Sequence, residues 1–425
     1  MTMAWRLVAV VAGVALLAAL PALLSAGLLN ASIQMLIAAL FACAYSLLAG
    51  RAGLLSFGHA AYFGVGAFAT VHAMNAFGGA GLLPTPLLPL VGALVGLGVG
   101  LVAGWFATQR SGTTFAMITL AVAELLHSLA PQLKGWFGGE SGISAMRMPA
   151  WGLGFGSTIE VYYLTLVWVL VSLALLHFHA STPLGRLTLA LRENGHRLKF
   201  LGYDAHGVGL SAFVISSMFA GIAGGLQALN NEAANYVVFD AGVSAAVVLN
   251  SYIGGVGTFL GPALGAALMT FFGYAVSDAT RSWLLYQGML FVLVMMFVPA
   301  GLTGLFGAAA RLAARRGWPL AVAVSALAVA ATLCAAGGVV FVVEMLQRVC
   351  SQDYRSLAAM GNGWPPIPLF GRSWAPGSIS TWLVPVALLA TAALLGWVAR
   401  HGAASSSAHQ SDAVGPPLDG KQALS

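Results

Sequence analysis

Residues 240–275 read DAGVSAAVVLNSYIGGVGTFLGPALGAALMTFFGYA, with no charge after Asp240. That run is well beyond the roughly 20 apolar residues a helix needs to cross a bilayer. Gly254-Gly255-Val256-Gly257 interrupts it, followed by Pro262. Glycine is a poor helix former and proline removes a backbone donor, so the stretch reads as two short arms meeting at the glycines. Whether it crosses once or twice fixes everything downstream. Lys and Arg in short loops stay cytoplasmic. With Arg6 inside, the loops holding Arg51, Arg110 and the group Arg186, Arg192, Arg197 and Lys199 are inside too. A single crossing at 240–275 would send Arg311, Arg315 and Arg316 outside. A helical hairpin returns them to the cytoplasm with Arg400 and Lys421, and twelve of the 18 cations then face in. The expected fold is an all-α polytopic membrane protein of about twelve hydrophobic segments, with a Gly-broken hairpin at 240–275 and both termini cytoplasmic.

Composition agrees. The 425 residues include 18 Lys+Arg and 12 Asp+Glu, so only 7% are charged, and 59% are hydrophobic. Soluble domains carry roughly 25% charged residues. Soluble enzymes, nucleic-acid binders and disordered chains are excluded; the lipid bilayer is the solvent, and no nucleic acid is a partner. Apolar runs occur at 7–29, 31–49, 53–74, 86–107, 113–133, 160–178, 209–230, 283–304, 318–343 and 379–399. The first reads as an uncleaved helix rather than a signal peptide, because it is long enough to span and lacks a small-x-small cleavage site. Segments 134–158 and 344–378 fall outside and carry Trp136, Trp151, Pro365, Pro366 and Pro368. They serve either a partner domain or interfacial anchoring. The Ser/Gly/Pro-rich tail from Ala403 is expected to be disordered and cytoplasmic.

Cys43, Cys334 and Cys350 stand singly, which indicates neither a metal site nor a disulfide framework. No Walker sequence, paired carboxylates, metal-spaced histidines or nucleophile set appears. The chain is not read as an enzyme and needs no cofactor; any ATP hydrolysis belongs to a separate partner subunit. The run GRAGLLSFGHAAYFGVGAF (50–68) mixes Ser56 and His59 with glycines. Polar groups and weak helix formers at membrane depth suit a broken or pore-lining segment, whereas His59 alone suits hydrogen-bonded packing. Glu124, with Thr113, Thr114 and Thr119 upstream and His127 beyond, is an acidic residue deep within a clear span. It is either functional or a structural tie. Gly92, Gly96, Gly100 and Gly104 form a smooth helix face, read as packing within the subunit or as a seam between subunits. Residues 180–208 form an amphipathic segment opened by Thr182-Pro183, which either lies on lipid headgroups or docks in a partner's groove.

Four blocks in order resemble the integral-membrane permease subunits of ATP-binding-cassette importers for branched-chain amino acids. They are GRAGLLSFGHAAYFGVGAF (50–68), TTFAMITLAVAELLHSLAPQLKGWFGGESGISAM (113–146), LGRLTLALRENGHRLKFLGYDAHGVGLSAFVISSMFAGIAGGLQA (184–228) and SYIGGVGTFLGPALGAAL (251–268). The resemblance implies a transmembrane permease subunit that moves branched-chain, hydrophobic amino acids or similar small solutes across the bacterial inner membrane. Its partners would be a second permease in a hetero- or homodimer, cytoplasmic ATP-binding subunits and a periplasmic solute-binding protein. Ser56, His59, Thr114, Thr119, Glu124, Gly254, Gly255 and Gly257 are the expected substrate path. Arg186, Arg192, Glu193, Asn194, Arg197 and Gly202 in the coupling loop 180–208 are expected at the ATPase. The permease core is placed at 1–308. An extension, 309–425, adds two further transmembrane segments, the external loop 344–378 and the tail, and departs from the family pattern. The competing reading is an ion-coupled secondary transporter built on the broken segment 240–275.

Overall fold

The computed structural model describes residues 3–78, 83–277, 280, 282–298, 300–360 and 364–411. It is built of helices: α1 Met3–Leu23, α2 Ala26–Ser46, α3 His59–Ala73, α4 Pro89–Ala107, α5 Gly112–Leu129, α6 Lys134–Phe137, α7 Thr158–Ser181 and α8 Pro183–Phe200. These are followed by α9 Ala205–Asn231, α10 Ala241–Gly254, α11 Gly261–Ser277, α12 Trp283–Phe297, α13 Gly301–Arg316, α14 Trp318–Cys350, α15 Gln352–Met360 and α16 Ile379–Ser411. Two short antiparallel ribbons complete it: β1 Ile143–Ser144 with β2 Ala233–Ala234, and β3 Ile367–Leu369 with β4 Arg372–Trp374. The chain divides into two units, Met1–Leu305 and Phe306–Ser425.

Among the described residues seven helical stretches are long and apolar enough to cross a membrane: Ala26–Ala52, Thr85–Ala107, Gly112–Leu129, Thr158–Ser181, Ala205–Asn231, Trp318–Cys350 and Ile379–Ala399. The bent pair Trp283–Met296 and Gly301–Ala314, at 43°, makes up to eight. Hydropathy counts more because it ignores backbone breaks. In the run 53–74, helix begins only at His59, since Gly53 takes φ +71° and residues 53–58 are unwound. The run 240–275 becomes α10 and α11, separated at Gly255–Leu260, where Gly255 takes φ +104°. At 14 and 17 residues the two arms are about 21 and 26 Å long. They fall short of a ~30 Å hydrocarbon core.

Local sequence sets the helix starts. Ser157 accepts from the Glu160 amide and Glu160 reaches back to the Ser157 amide, a reciprocal cap on α7. The Thr182 hydroxyl accepts from the Gly185 amide ahead of Pro183, opening α8. The Asp204 carboxylate accepts from His206 and Gly207 and starts α9.

The core of the first unit lies where α2, α3, α4 and α9 converge. The α4 glycines face α9 within the subunit: a Cβ at Gly96 would lie 2.7 Å from the Ser217 carbonyl, and one at Gly104 would lie 2.8 Å from the Phe213 ring. Without side chains the backbones approach closely, and dispersion takes the place that the hydrophobic effect holds in water. At the end of α9, Glu232 (φ +53°) pairs with Arg147 at 3.1 Å and accepts from the Arg147 amide. This ties the glycine-rich segment 138–148 to that helix end.

In the second unit α14 packs antiparallel on α16, with Gly338 against Leu389. Phe341 and Met345 are buried against Ile367 and Leu369 of the β3–β4 ribbon, and the Trp374 and Trp382 indoles donate to the Leu369 and Pro376 carbonyls. Helix α16 runs to Ser411, past Ala403 where the composition predicted loss of structure, because Ala and Ser are compatible with helix. Residues 412–425 of the expected disordered tail lie outside the described residues.

Candidate functional site

Helix α2 ends in a π-helical turn, Leu47–Ala52, and residues 53–58 then run unwound into α3. Their amides and carbonyls are released from regular helical pairing, and side chains inside the subunit catch part of them. The Phe57 amide donates to Thr119 Oγ1 at 3.2 Å, the Gly58 amide to Ser56 Oγ at 3.3 Å and the Ala60 amide to Ser244 Oγ at 2.9 Å. Gly58 lies against the Thr119 carbonyl with no room for a Cβ.

His59 is fully buried between two hydroxyls. Its Nδ1 is 3.0 Å from Ser56 Oγ and its Nε2 is 2.8 Å from Ser216 Oγ. Ser216 donates its proton to the Ala44 carbonyl at 2.6 Å, so its oxygen accepts, and the His59 proton sits on Nε2. Ser56 then donates to Nδ1 while accepting from the Gly58 amide. In this assignment each polar atom of the chain has one role. Tyr45, Tyr62 and Phe213 stand edge-on around the ring, with centroids 5.2, 5.7 and 6.1 Å away.

The opposite side of the unwound segment faces a groove of about 600 Å³ lined by Leu55, Phe57, Thr113, Ala116, Met117 and Leu120, with Gly53 and Gly112 at its end. Its walls are almost wholly apolar. Ser56, His59 and Thr119 are therefore brought together behind the segment, where they brace it, and alternate residues present themselves to the groove. Thr114 is exposed on α5. Glu124 is on the same face, its side chain 48% exposed and its carboxylate 4.0 Å from His127 Nδ1. Gly254, Gly255 and Gly257 do not line the groove. Gly254 accepts from Thr303 Oγ1 at 3.1 Å, Gly255 packs on Ala300, and Gly257 is open. Ser216, Ser244 and Phe213 were missed in sequence; hydroxyls inside the apolar runs of α9 and α10 were the available signal.

At the other end of the unwound segment stands α8, kinked at Asn194 (φ −161°, ψ 99°), whose side chain accepts from the Arg197 amide. Arg186, Glu193, Asn194, Arg197 and Gly202 are exposed, as are Phe200 at 91% and Leu201 at 66%. Arg192 is exposed as well, and its guanidinium reaches back to donate to the Gly50 carbonyl.

Residues 27–299 match the family described as the permease component of branched-chain amino acid transport systems. The chain is 28% identical over 316 residues to the High-affinity branched-chain amino acid transport system permease protein LivM of Escherichia coli (strain K12), covering 69% of this chain and 73% of that one. It is also 28% identical over 306 residues to the LivM protein of Salmonella typhimurium (strain LT2), covering 66% and 71%. No solved structure matches significantly. The match takes in the braced segment, the groove and α8, and stops before the second unit: the chain belongs to the branched-chain amino acid transport permease family.

Proposed function

We propose that this chain is the translocating permease subunit of an ATP-binding-cassette importer for branched-chain amino acids in the bacterial inner membrane. The observation that carries this reading is the family match over 27–299, which spans groove and coupling loop together. The apolar groove suits an aliphatic side chain, and the unwound backbone of 53–58 offers amides and carbonyls for the ammonium and carboxylate of an amino acid.

The exposed face of α5 supports a second permease subunit. Thr113, Thr114, Met117, Leu120 and Glu124 share it. A carboxylate facing lipid at mid-span costs about 2.5–3.5 kcal/mol. A partner subunit across this face, enclosing a polar path, removes that cost. The exposed surface of α8, with Arg186, Glu193, Asn194, Arg197 and Gly202 beside Phe200 and Leu201, is the docking element for a cytoplasmic ATPase. ATP binding draws the ATPase pair together, shifts α8 and changes which side of the groove is open. A periplasmic binding protein delivers substrate from the opposite side.

In this arrangement the full count is twelve hydrophobic segments with α10 and α11 as a hairpin, both termini are cytoplasmic, and the core at 1–308 carries transport. The extension 309–425 is an addition with two spans of its own. Ion coupling is disfavoured by the absence, among the described residues, of any buried Asp, Glu, Lys or Arg. Reconstitution with ATPase and binding-protein subunits tests the reading: uptake of leucine, isoleucine or valine requires ATP, and chains lacking the coupling helix do not support it.

A further inference from the structure

Two arginines exchange places at the junction between the coupling helix and the unwound segment. Helix α2 and its π turn end at Gly53, leaving carbonyls of the last turn without helical donors. Arg192, reaching from α8, donates to one of them, the Gly50 carbonyl. Arg51, from that π turn, donates in return to the Ala180 carbonyl at 2.7 Å, at the end of α7, and to the Gly185 carbonyl at 3.3 Å, in the first turn of α8. Arg192 thus serves the C-terminal end of α2 and Arg51 that of α7, where carbonyl dipoles favour a cation, while Arg51 also reaches a carbonyl at the start of α8.

There is no slack in the joint. A Cβ on Gly53 would lie 2.9 Å from Arg192 Cγ, and φ +71° favours glycine there in any case. A Cβ on Gly50 would lie 2.8 Å from the Val256 carbonyl, in the break between α10 and α11. Gly185 packs on the His179 carbonyl with no room for a side chain. Three backbone irregularities meet at one point: the π turn of α2, the α7–α8 corner and the α10–α11 break. Phe57, in the groove wall, is only a few residues along the unwound chain from Arg51. π turns recur at functional sites.

We infer that Arg51 and Arg192 are a reciprocal pair of positioning residues that make the coupling helix and the groove-lining segment 53–58 move as one body. Arg192, exposed like its neighbours on α8, then has a role inside this subunit through its bond to Gly50. The inference rests on the importer reading and assigns its internal transmission. A displacement of α8 by a partner shifts the Gly50 carbonyl directly, and the π turn passes that shift to Leu55 and Phe57.

The test uses the complete complex in liposomes, comparing Arg51→Gln, Arg192→Gln and the double variant, with Arg51→Lys and Arg192→Lys as conservative partners that keep a charged donor. Uptake per ATP hydrolysed is expected to fall at least tenfold in each Gln variant and no further in the double variant, because both residues hold one joint. The Lys variants recover most of the loss. A cysteine placed at Phe57, in a background without Cys43, Cys334 and Cys350, reports the groove wall: its labelling by a maleimide changes on nucleotide trapping in the parent complex and stops changing in the Gln variants. An unchanged uptake-to-ATP ratio overturns the inference, as do additive losses in the double variant or Lys variants as defective as Gln. If a Gln variant fails to accumulate, the Lys variants and the labelling decide. Failure of the importer reading looks different, since the parent complex would then show no ATP-driven uptake.

Discussion

His59 Nε2 donates to Ser216 Oγ across 2.8 Å inside the packed core, joining α3 to α9 just where the unwound segment ends. The bond carries weight because Ser216 has already given its own proton to Ala44.

Ser216→Ala therefore leaves His59 Nε2 buried without a partner, at a cost of about 1–3 kcal/mol. His59→Ala takes one hydrogen-bond partner from each of Ser56 and Ser216 and opens a cavity beside Tyr45 and Tyr62, costing about 3–5 kcal/mol. Thermal unfolding of the detergent-purified subunit should rank wild type, Ser216→Ala and His59→Ala in falling order. Equal stability for all three would mean that the polar chain does not brace the segment.

Close backbone approach between α4 and α9 gives a second expectation. Gly100→Leu collides with the Ser217 side chain, whereas a Cβ at Gly98, on the same helix, meets nothing within 4 Å. Subunit yield and melting temperature should drop sharply for Gly100→Leu, by more than about 3 kcal/mol, and stay within about 0.5 kcal/mol for Gly98→Leu. Similar losses in both would contradict the seam.

Glu124 is exposed on a helix face that the second permease subunit is proposed to cover. Glu124→Gln keeps the shape and removes the charge, and transport by the assembled complex is expected to fall at least tenfold. Unchanged transport together with unchanged subunit yield would remove the carboxylate from both path and interface.

The exposed cations of α8 give the docking prediction. Arg186→Glu combined with Arg197→Glu reverses the charge of a surface next to exposed Phe200 and Leu201. Co-purification with the ATPase subunits should be lost, while the permease itself folds and inserts normally. Retained co-purification would mean that α8 rests on lipid.

Much of this architecture was legible in the residues. Charge scarcity declared the membrane class, and Gly254–Gly257 marked the break between α10 and α11. Ser56, His59 and the surrounding glycines marked the irregular start of α3. Less legible was which face those residues serve. Ser56 and His59 look inward to α9, and Leu55 and Phe57 form the groove wall, because an unwound segment alternates its side chains where a helix would not. Spacing within one segment cannot reveal partners such as Ser216 and Ser244, which lie over 150 residues away. The same limit applies to Arg51 and Arg192: each reads as a cytoplasmic surface charge, and only the fold shows that they bind carbonyls of each other's elements. The Gly92–Gly104 stripe left two seams open, and packing against α9 within the subunit is the one observed.

The central claim is that this permease works as an ATP-driven importer subunit. Its most direct test is radiolabelled leucine uptake into liposomes holding this chain with its second permease, ATPase subunits and binding protein, measured with and without ATP. The account predicts uptake that requires ATP and the binding protein and is indifferent to a proton or sodium gradient. Uptake that persists without the ATPase subunits, driven by an ion gradient alone, would contradict it.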